Sequence, residues 1–339
     1  MTQRPAARPA FGIELWGSLP TPTLLEEMQL VEQLGYDSLW LGDSQLLWRE
    51  TYVLLGCAAV LTQRVYLGIG VTNPVTRHPT VTASAMLTLQ EASGGRALLG
   101  VGVGSTAVRT LGQQPVSRRA LAEWIALLRA LWTGEAVATA SGTWRLTFGA
   151  PGGHPPILIA GRGPKMLRLA GQIGDGAILA GVGCAGATLR GMLEAVRAGR
   201  AAAGEPARLF RTYLHVPAAV HADRRLAYEA VRPQVAVALL MPHWPLSAAA
   251  EEARAKLRAS YDYYQHMSRQ ARWAEVIPDE IVPDFALAGT PAECVAQLRG
   301  LLALGFDEIT LIPYAVEGGT RAEMIAALMR DVVAPSRAA

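Results

Sequence analysis

The chain has 339 residues, 51% of them hydrophobic and 17% charged, with a formal net charge of +3. That balance provides for a large core and argues against a nucleic-acid binder, since no basic run or aromatic-interleaved Lys/Arg stripe occurs. Three scattered cysteines, Cys57, Cys184 and Cys294, show no CxxC spacing, which excludes a metal framework and points to a reducing compartment. The first ten residues carry Arg4 and Arg8 but no apolar signal core, and no run of about 18 apolar residues exists, so a soluble, cytoplasmic protein without a membrane partner is expected.

In chain order, residues 11–16 read as a first strand, followed by a helix over 23–34 whose apolar positions Leu24, Leu25, Met28, Val31 and Leu34 keep near-helical period up to Gly35. Residues 37–42 form a second strand ending at Asp43, 51–61 a helix, 65–71 a third strand, and 80–91 a helix closed by Gly94-Gly95. A fourth strand (97–102) and helix (118–132) precede residues 136–151, where the alternation Thr143-Trp144-Arg145-Leu146-Thr147-Phe148 predicts a small hairpin insertion.

Residues 157–181 carry the sharpest local signal. The apolar run Ile157-Leu158-Ile159-Ala160 passes through Gly161-Arg162-Gly163-Pro164 into the helical Lys165-Met166-Leu167-Arg168-Leu169-Ala170, and Ala177-Ile178-Leu179-Ala180 follows as a further strand. Pro164 suits the first helical position, Gly161 and Gly163 permit close backbone approach, and the amides of the helix start beside Arg162 and Lys165 suit an anion such as phosphate. A turn that only reverses the chain is the alternative.

A helix at 187–202, a seventh strand at 209–216, a long segment at 222–288 with helices at 225–240 and 248–258, an eighth strand at 307–312 and a helix at 321–332 complete the chain. Eight strands alternating with helices describe a single (β/α)8 TIM barrel over 1–339, with insertions near 136–151 and 241–288, better than an open doubly wound sheet.

In such a barrel, function collects at the carboxyl ends of strands. These ends are Trp16-Gly17, Asp43-Ser44-Gln45, Val71-Thr72-Asn73-Pro74, Gly102-Val103-Gly104-Ser105, 161–165, Gly181-Val182-Gly183, His215 and Pro313-Tyr314. Three are glycine-rich and none pairs an acid with a base in hydrolase fashion, so the rim suits a flat cofactor with a phosphate tail. Gly100-Val101-Gly102-Val103-Gly104 is only a weak dinucleotide signal, because its third glycine is misplaced. Asp43 reads as a base or acceptor, or alternatively as a cap; His78 and His215 read as structural; His243 and His266 lack metal-ligand spacing.

The chain resembles the luciferase-like flavin and deazaflavin oxidoreductases, and within them the branch typified by methylenetetrahydromethanopterin reductase. The likeness is carried by Gly70-Val71-Thr72-Asn73-Pro74-Val75-Thr76-Arg77-His78-Pro79, by Gly100-Val101-Gly102-Val103-Gly104-Ser105 with Leu111-Gly112, and by Gly163-Pro164-Lys165-Met166 with Gly174-Asp175-Gly176-Ala177. The resemblance implies a homodimeric barrel with cofactor at the rim, a non-prolyl cis peptide at Gly70-Val71, and the cofactor phosphate on 161–166. The cofactor contacts it implies are Gly70, Val71, Thr72, Asn73, Gly102, Val103, Gly104, Ala160, Gly161, Arg162, Gly163, Pro164, Lys165, Met166 and Gly181, with Asp43 as the catalytic candidate and no metal. It further implies hydride transfer between coenzyme F420 and a small organic substrate. The alternatives are an FMN-dependent monooxygenase supplied by a flavin reductase, and a flavin-binding barrel without turnover. Ser44 stands where the glucose-6-phosphate dehydrogenase branch has histidine, and Ser105 where the reductase branch often has an acid.

Overall fold

The computed structural model describes residues 9–149, 153–180, 183–204, 209–240, 243–258 and 276–337. The order is β1 (Ala10–Leu15), α1 (Thr21–Gln33), β2 (Ser38–Leu41), α2 (Thr51–Leu61), β3 (Tyr66–Thr72), α3 (Pro79–Ala92), β4 (Ala97–Val101), a short α4 (Thr106–Arg109) and α5 (Arg118–Trp132). Then come the hairpin β5 (Val137–Thr139) and β6 (Gly142–Trp144), β7 (Ile157–Gly161), α6 (Pro164–Ile173), β8 (Gly176–Ala180), α7 (Gly186–Ala202), β9 (Arg211–Val220), α8 (Arg224–Leu240) and α9 (Ala248–Arg258). The chain ends with α10 (Val282–Phe285), β10 (Leu287–Gly289), α11 (Pro291–Leu302), β11 (Glu308–Pro313), α12 (Arg321–Leu328) and, after a π-helical turn, α13 (Ala334–Arg337).

Eight parallel strands run β1-β2-β3-β4-β7-β8-β9-β11 and close, β11 pairing with β1 and β8 with β9. The fold is therefore the expected (β/α)8 barrel. Proline in the first turn of α3, α6 and α11 starts helices where no amide donor is needed.

Strand alternation separates two cores. Outward residues such as Ile13, Leu39, Leu67, Leu99 and Ile159 pack under the helices, whereas Trp40, Leu98, Leu158, Ile178 and Tyr213 fill the barrel lumen. Trp40 fits only because Gly68 lies across from it: a Cβ there would sit 2.1 Å from the indole. The indole Nε1 donates to Ser38 Oγ at 2.8 Å and to Glu308 Oε1 at 3.1 Å, so this buried donor is satisfied.

Three expectations change. The hairpin is shorter than the alternation suggested, because pairing stops at Trp144; beyond it Arg145, Thr147 and Phe148 are exposed while Leu146 packs against the core. The segment assigned wholly to an insertion ends in a strand: β10 pairs with the far end of β9, Leu287 opposite Ala218, and leads into α11, which the sequence reading omitted. Finally, β9 extends to Val220 rather than stopping near Val216, since β10 supplies that extension with a partner. His266 and Gly181 lie outside the described residues.

Candidate cofactor site at the carboxyl rim

β7 delivers Ile159 into the outer core, leaves Ala160 and Gly161 half-buried, and turns at Arg162-Gly163 into α6. Gly163 is the N-cap and Pro164 opens the helix, while Met166 N donates to Gly163 O at 3.1 Å. The amide of Lys165 has no intrahelical acceptor by position, so this turn presents donors. Lys165 is exposed. Arg162 is half-buried, and its Nη1 is inaccessible and without a hydrogen-bond partner among the described residues. Burial pulls its guanidinium below the usual arginine value, and no acid among the described residues offsets that. An anion at this helix start would supply the missing acceptor, so the residues present fit a phosphate-bearing group.

The floor beside this turn is built by β3 and β4. The Gly70-Val71 peptide is cis, as the resemblance implied, and the β3–β4 register shifts between Ile69 and Thr72. Val71, Ala160 and Ala180 lie half-buried on top of the lumen cluster and make an apolar platform. Gly102 faces Val71, where an added Cβ would be 3.4 Å from the valine methyl, and Gly104 has φ +94° with Asn73 beside it. Val103 is half-buried next to them.

Thr72 and Asn73 are at this floor, but their side chains hold the loop. Asn73 Oδ1 accepts from the amides of Val75 and Thr76, both at 3.0 Å, and Thr72 Oγ1 donates to Asp43 Oδ2 at 2.8 Å. Asp43 is likewise committed: Arg77 Nη2 donates to its Oδ1 at 3.0 Å and Nε to its Oδ2 at 3.2 Å. With both oxygens engaged and the residue buried, Asp43 has the geometry of a brace between the β2 end and the β3 loop rather than that of a base facing a substrate. Arg77 also pairs with Glu50 and lies over the Tyr52 ring, whose phenol burial pushes up to about 12.

Three features were not singled out from sequence. The lumen end of β1 brings Glu14 to His215 on β9, with Nδ1 and Oε2 2.7 Å apart, both buried, and Nε2 without a partner among the described residues. This pair lies against Gly70, within 3.4 to 3.5 Å of where a Cβ would be. The second is the chain after α8: Trp244 Nε1 donates to the Arg162 carbonyl at 2.7 Å, and His243 packs against Gly163. Burial, then the charge of Arg162, lowers the His243 pKa. The third is an aromatic group at the opposite rim, where Trp16 and Trp48 stack with centroids 5.4 Å apart and Tyr314 meets Trp16 edge-on at 5.5 Å. Spacing could not pair residues as distant as Glu14 and His215; only the barrel's strand order brings them together.

The model for the luciferase-like monooxygenase family matches residues 14–308, and the chain belongs to that family. It is an oxidoreductase of the luciferase-like kind. The 5,10-methylenetetrahydromethanopterin reductase of Methanolobus tindarius is 30% identical over 316 residues, covering 88% of this chain and 92% of that protein. The F420-dependent glucose-6-phosphate dehydrogenase of Nakamurella multipartita is 30% identical over 317 residues, covering 88% and 89%. Among solved structures, the coenzyme F420 dependent tetrahydromethanopterin reductase of Methanopyrus kandleri superposes with a TM-score of 0.75 at 22% identity, covering 97% of this chain and 99% of that one. No helix among the described residues is long and apolar enough to cross a membrane.

Proposed function

We propose that this chain transfers hydride between the deazaflavin coenzyme F420 and a small organic substrate. The observation that carries the reading is Arg162, a half-buried cation at a helix start whose Nη1 has no partner among the described residues, beside exposed Lys165. Coenzyme F420 carries anionic groups beyond its phosphate, which FMN lacks, and these two cations suit the larger charge. Arg77, a further cation of the β3 loop, is spent on Asp43 and Glu50. The similarity to relatives named for F420 supports the same choice.

When bound, the deazaflavin supplies a two-electron hydride carrier. The chain's part is to hold and shield it. The α6 start and Arg162 fix the anionic end, while Val71, Ala160 and Ala180 form a dry floor. Asp43, Thr72 and Arg77 lock the β2 and β3 ends that carry that floor. We also read the chain as a cytoplasmic homodimer: Leu46, Val53, Val60 and Val81 expose apolar side chains on and around α2 and α3, and all three cysteines are free. Light scattering on the purified chain should give twice the monomer mass.

Titration of the apo-protein with F420 and with FMN, at low and high salt, tests the cofactor. The expected result is tighter F420 binding with an advantage that shrinks as salt rises. Tighter FMN binding without that salt effect would overturn the choice and favour a monooxygenase served by a flavin reductase.

A further inference from the structure

We infer that His243, in the segment after α8, is a further anion ligand of the turn between β7 and α6, and that its imidazole takes up a proton as the cofactor's anion binds. This deepens the cofactor reading above and rests on it.

Gly163 is the N-cap of α6, and a Cβ on it would lie 3.4 Å from both Cγ and Nδ1 of His243. With no side chain at that position, the ring closes directly onto the backbone whose free amides face an anion. The next residue fixes the placement, because Trp244 Nε1 donates to the Arg162 carbonyl at 2.7 Å. The chain at 243 is thereby tied to the same peptide that shapes the turn. His243 is exposed, and its ring has no hydrogen-bond partner among the described residues, so a nitrogen is open to a ligand.

The charged groups around it are cations. Arg162 belongs to the β7–α6 turn, Lys165 to the first turn of α6, and Arg190 to α7, the helix against which Trp244 packs. No acid among the described residues acts on His243. Burial, and then the charge of Arg162, hold the free imidazole below the ordinary histidine value, so the empty turn keeps this ring neutral at neutral pH. An anion seated between Arg162 and the α6 amides reverses that balance: it offsets the guanidinium and favours the charged ring. The sign follows from the two states. The imidazole pKa is higher in the complex than in the free chain, so the added affinity is complete below the free value and is lost as pH rises through the bound value.

The test uses the full chain, titrated with F420 and with FMN, and then follows whichever binds between about pH 5.5 and about pH 8. NMR on chain labelled at histidine Cε1 reads the imidazole directly, the His243 signal being the one missing from His243→Gln. Its titration midpoint should rise when the cofactor saturates the chain. Over the same range the parent Kd should weaken about tenfold more than that of His243→Gln, a comparison in which titrations of the cofactor itself cancel. His243→Lys, charged at both ends of the range, should lose that same part of the pH dependence and at about pH 8 bind at least about fivefold more tightly than His243→Gln. A midpoint that stays or falls on saturation, or a pH dependence equal in the parent and His243→Gln, overturns the inference while the cofactor assignment stands. Failure of both cofactors to bind overturns the cofactor reading and this inference with it. Should His243→Gln not fold, His243→Lys takes its place in assigning the signal and as the reference for pH dependence.

Discussion

On one side of the mouth, β3, β4 and β7 end in Gly70-Val71, Gly102 and Gly161-Arg162-Gly163, and leave open backbone beside a guanidinium whose Nη1 has no partner among the described residues. On the other, β11, β1 and β2 lead to Tyr314, Trp16 and Trp48, whose rings fill the space, and the arginines at hand are ion-paired or turned onto the backbone. One side is preorganised by what is missing, namely Cβ atoms and a counterion; the other by what is present. A ligand of the proposed kind, with a phosphate tail at one end and a reacting ring at the other, would use both surfaces of the one rim.

The seam between the two sides should be the most sensitive place. Asp43→Asn leaves Arg77 short of its buried acceptor and should cost roughly 3 kcal/mol in urea unfolding, since breaking one partner of a buried pair strands the other. A variant that melts like the parent yet loses all turnover would restore Asp43 as a base and break the comparison. On the open side, Gly163→Val should weaken cofactor binding by more than about tenfold by filling the approach to the turn. The apo-protein should melt within about 0.5 kcal/mol of the parent, because Gly163 has an ordinary φ of −95° and a Cβ there would sit 3.4 Å from His243. An unchanged cofactor Kd would remove the phosphate from this turn.

The smallest effect, about 1 kcal/mol, is expected away from both sides. Glu293 takes a hydrogen bond from Arg224 and closes the capping box of α11 with Thr290, and these, in that order, hold its pKa down to about 2. Because the folded pKa lies below the unfolded one, the stabilisation is complete above the usual carboxylate range and is lost as pH falls toward 2. Glu293→Ala should therefore flatten the acid limb of stability against pH while leaving cofactor affinity at neutral pH untouched. Since the carboxylate is partly exposed, salt should shrink the effect.

Much of the open side was legible in the chain because its devices are local. Glycines and a proline within a few residues of Arg162 announce a close-approach turn, and short apolar strands at regular intervals announce the barrel. The aromatic side was not legible, since Trp16 and Tyr314 become neighbours only when β11 closes on β1. Glu14 stayed hidden for the same reason: in a strand that reads as core, its partner His215 is found only through the order of the strands. Asp43 was visible as a base or an acceptor, and the structure shows it accepting from Thr72 and Arg77; the sequence could not choose, because a strand-end acid looks alike whether it faces a ligand or an arginine 34 residues away. The short β10 escaped because three apolar residues after a long charged segment carry no period to measure.

The indole bond from Trp244 to the Arg162 carbonyl ties a segment far along the chain to the very peptide that shapes the phosphate turn. Its ring is also wedged against α7, where a Cβ on Gly191 would lie 2.8 Å away, so that segment cannot lift without releasing the turn. The turn into α6 is thus held from outside its own strand–helix unit, and its shape depends on an indole 82 positions further along the chain.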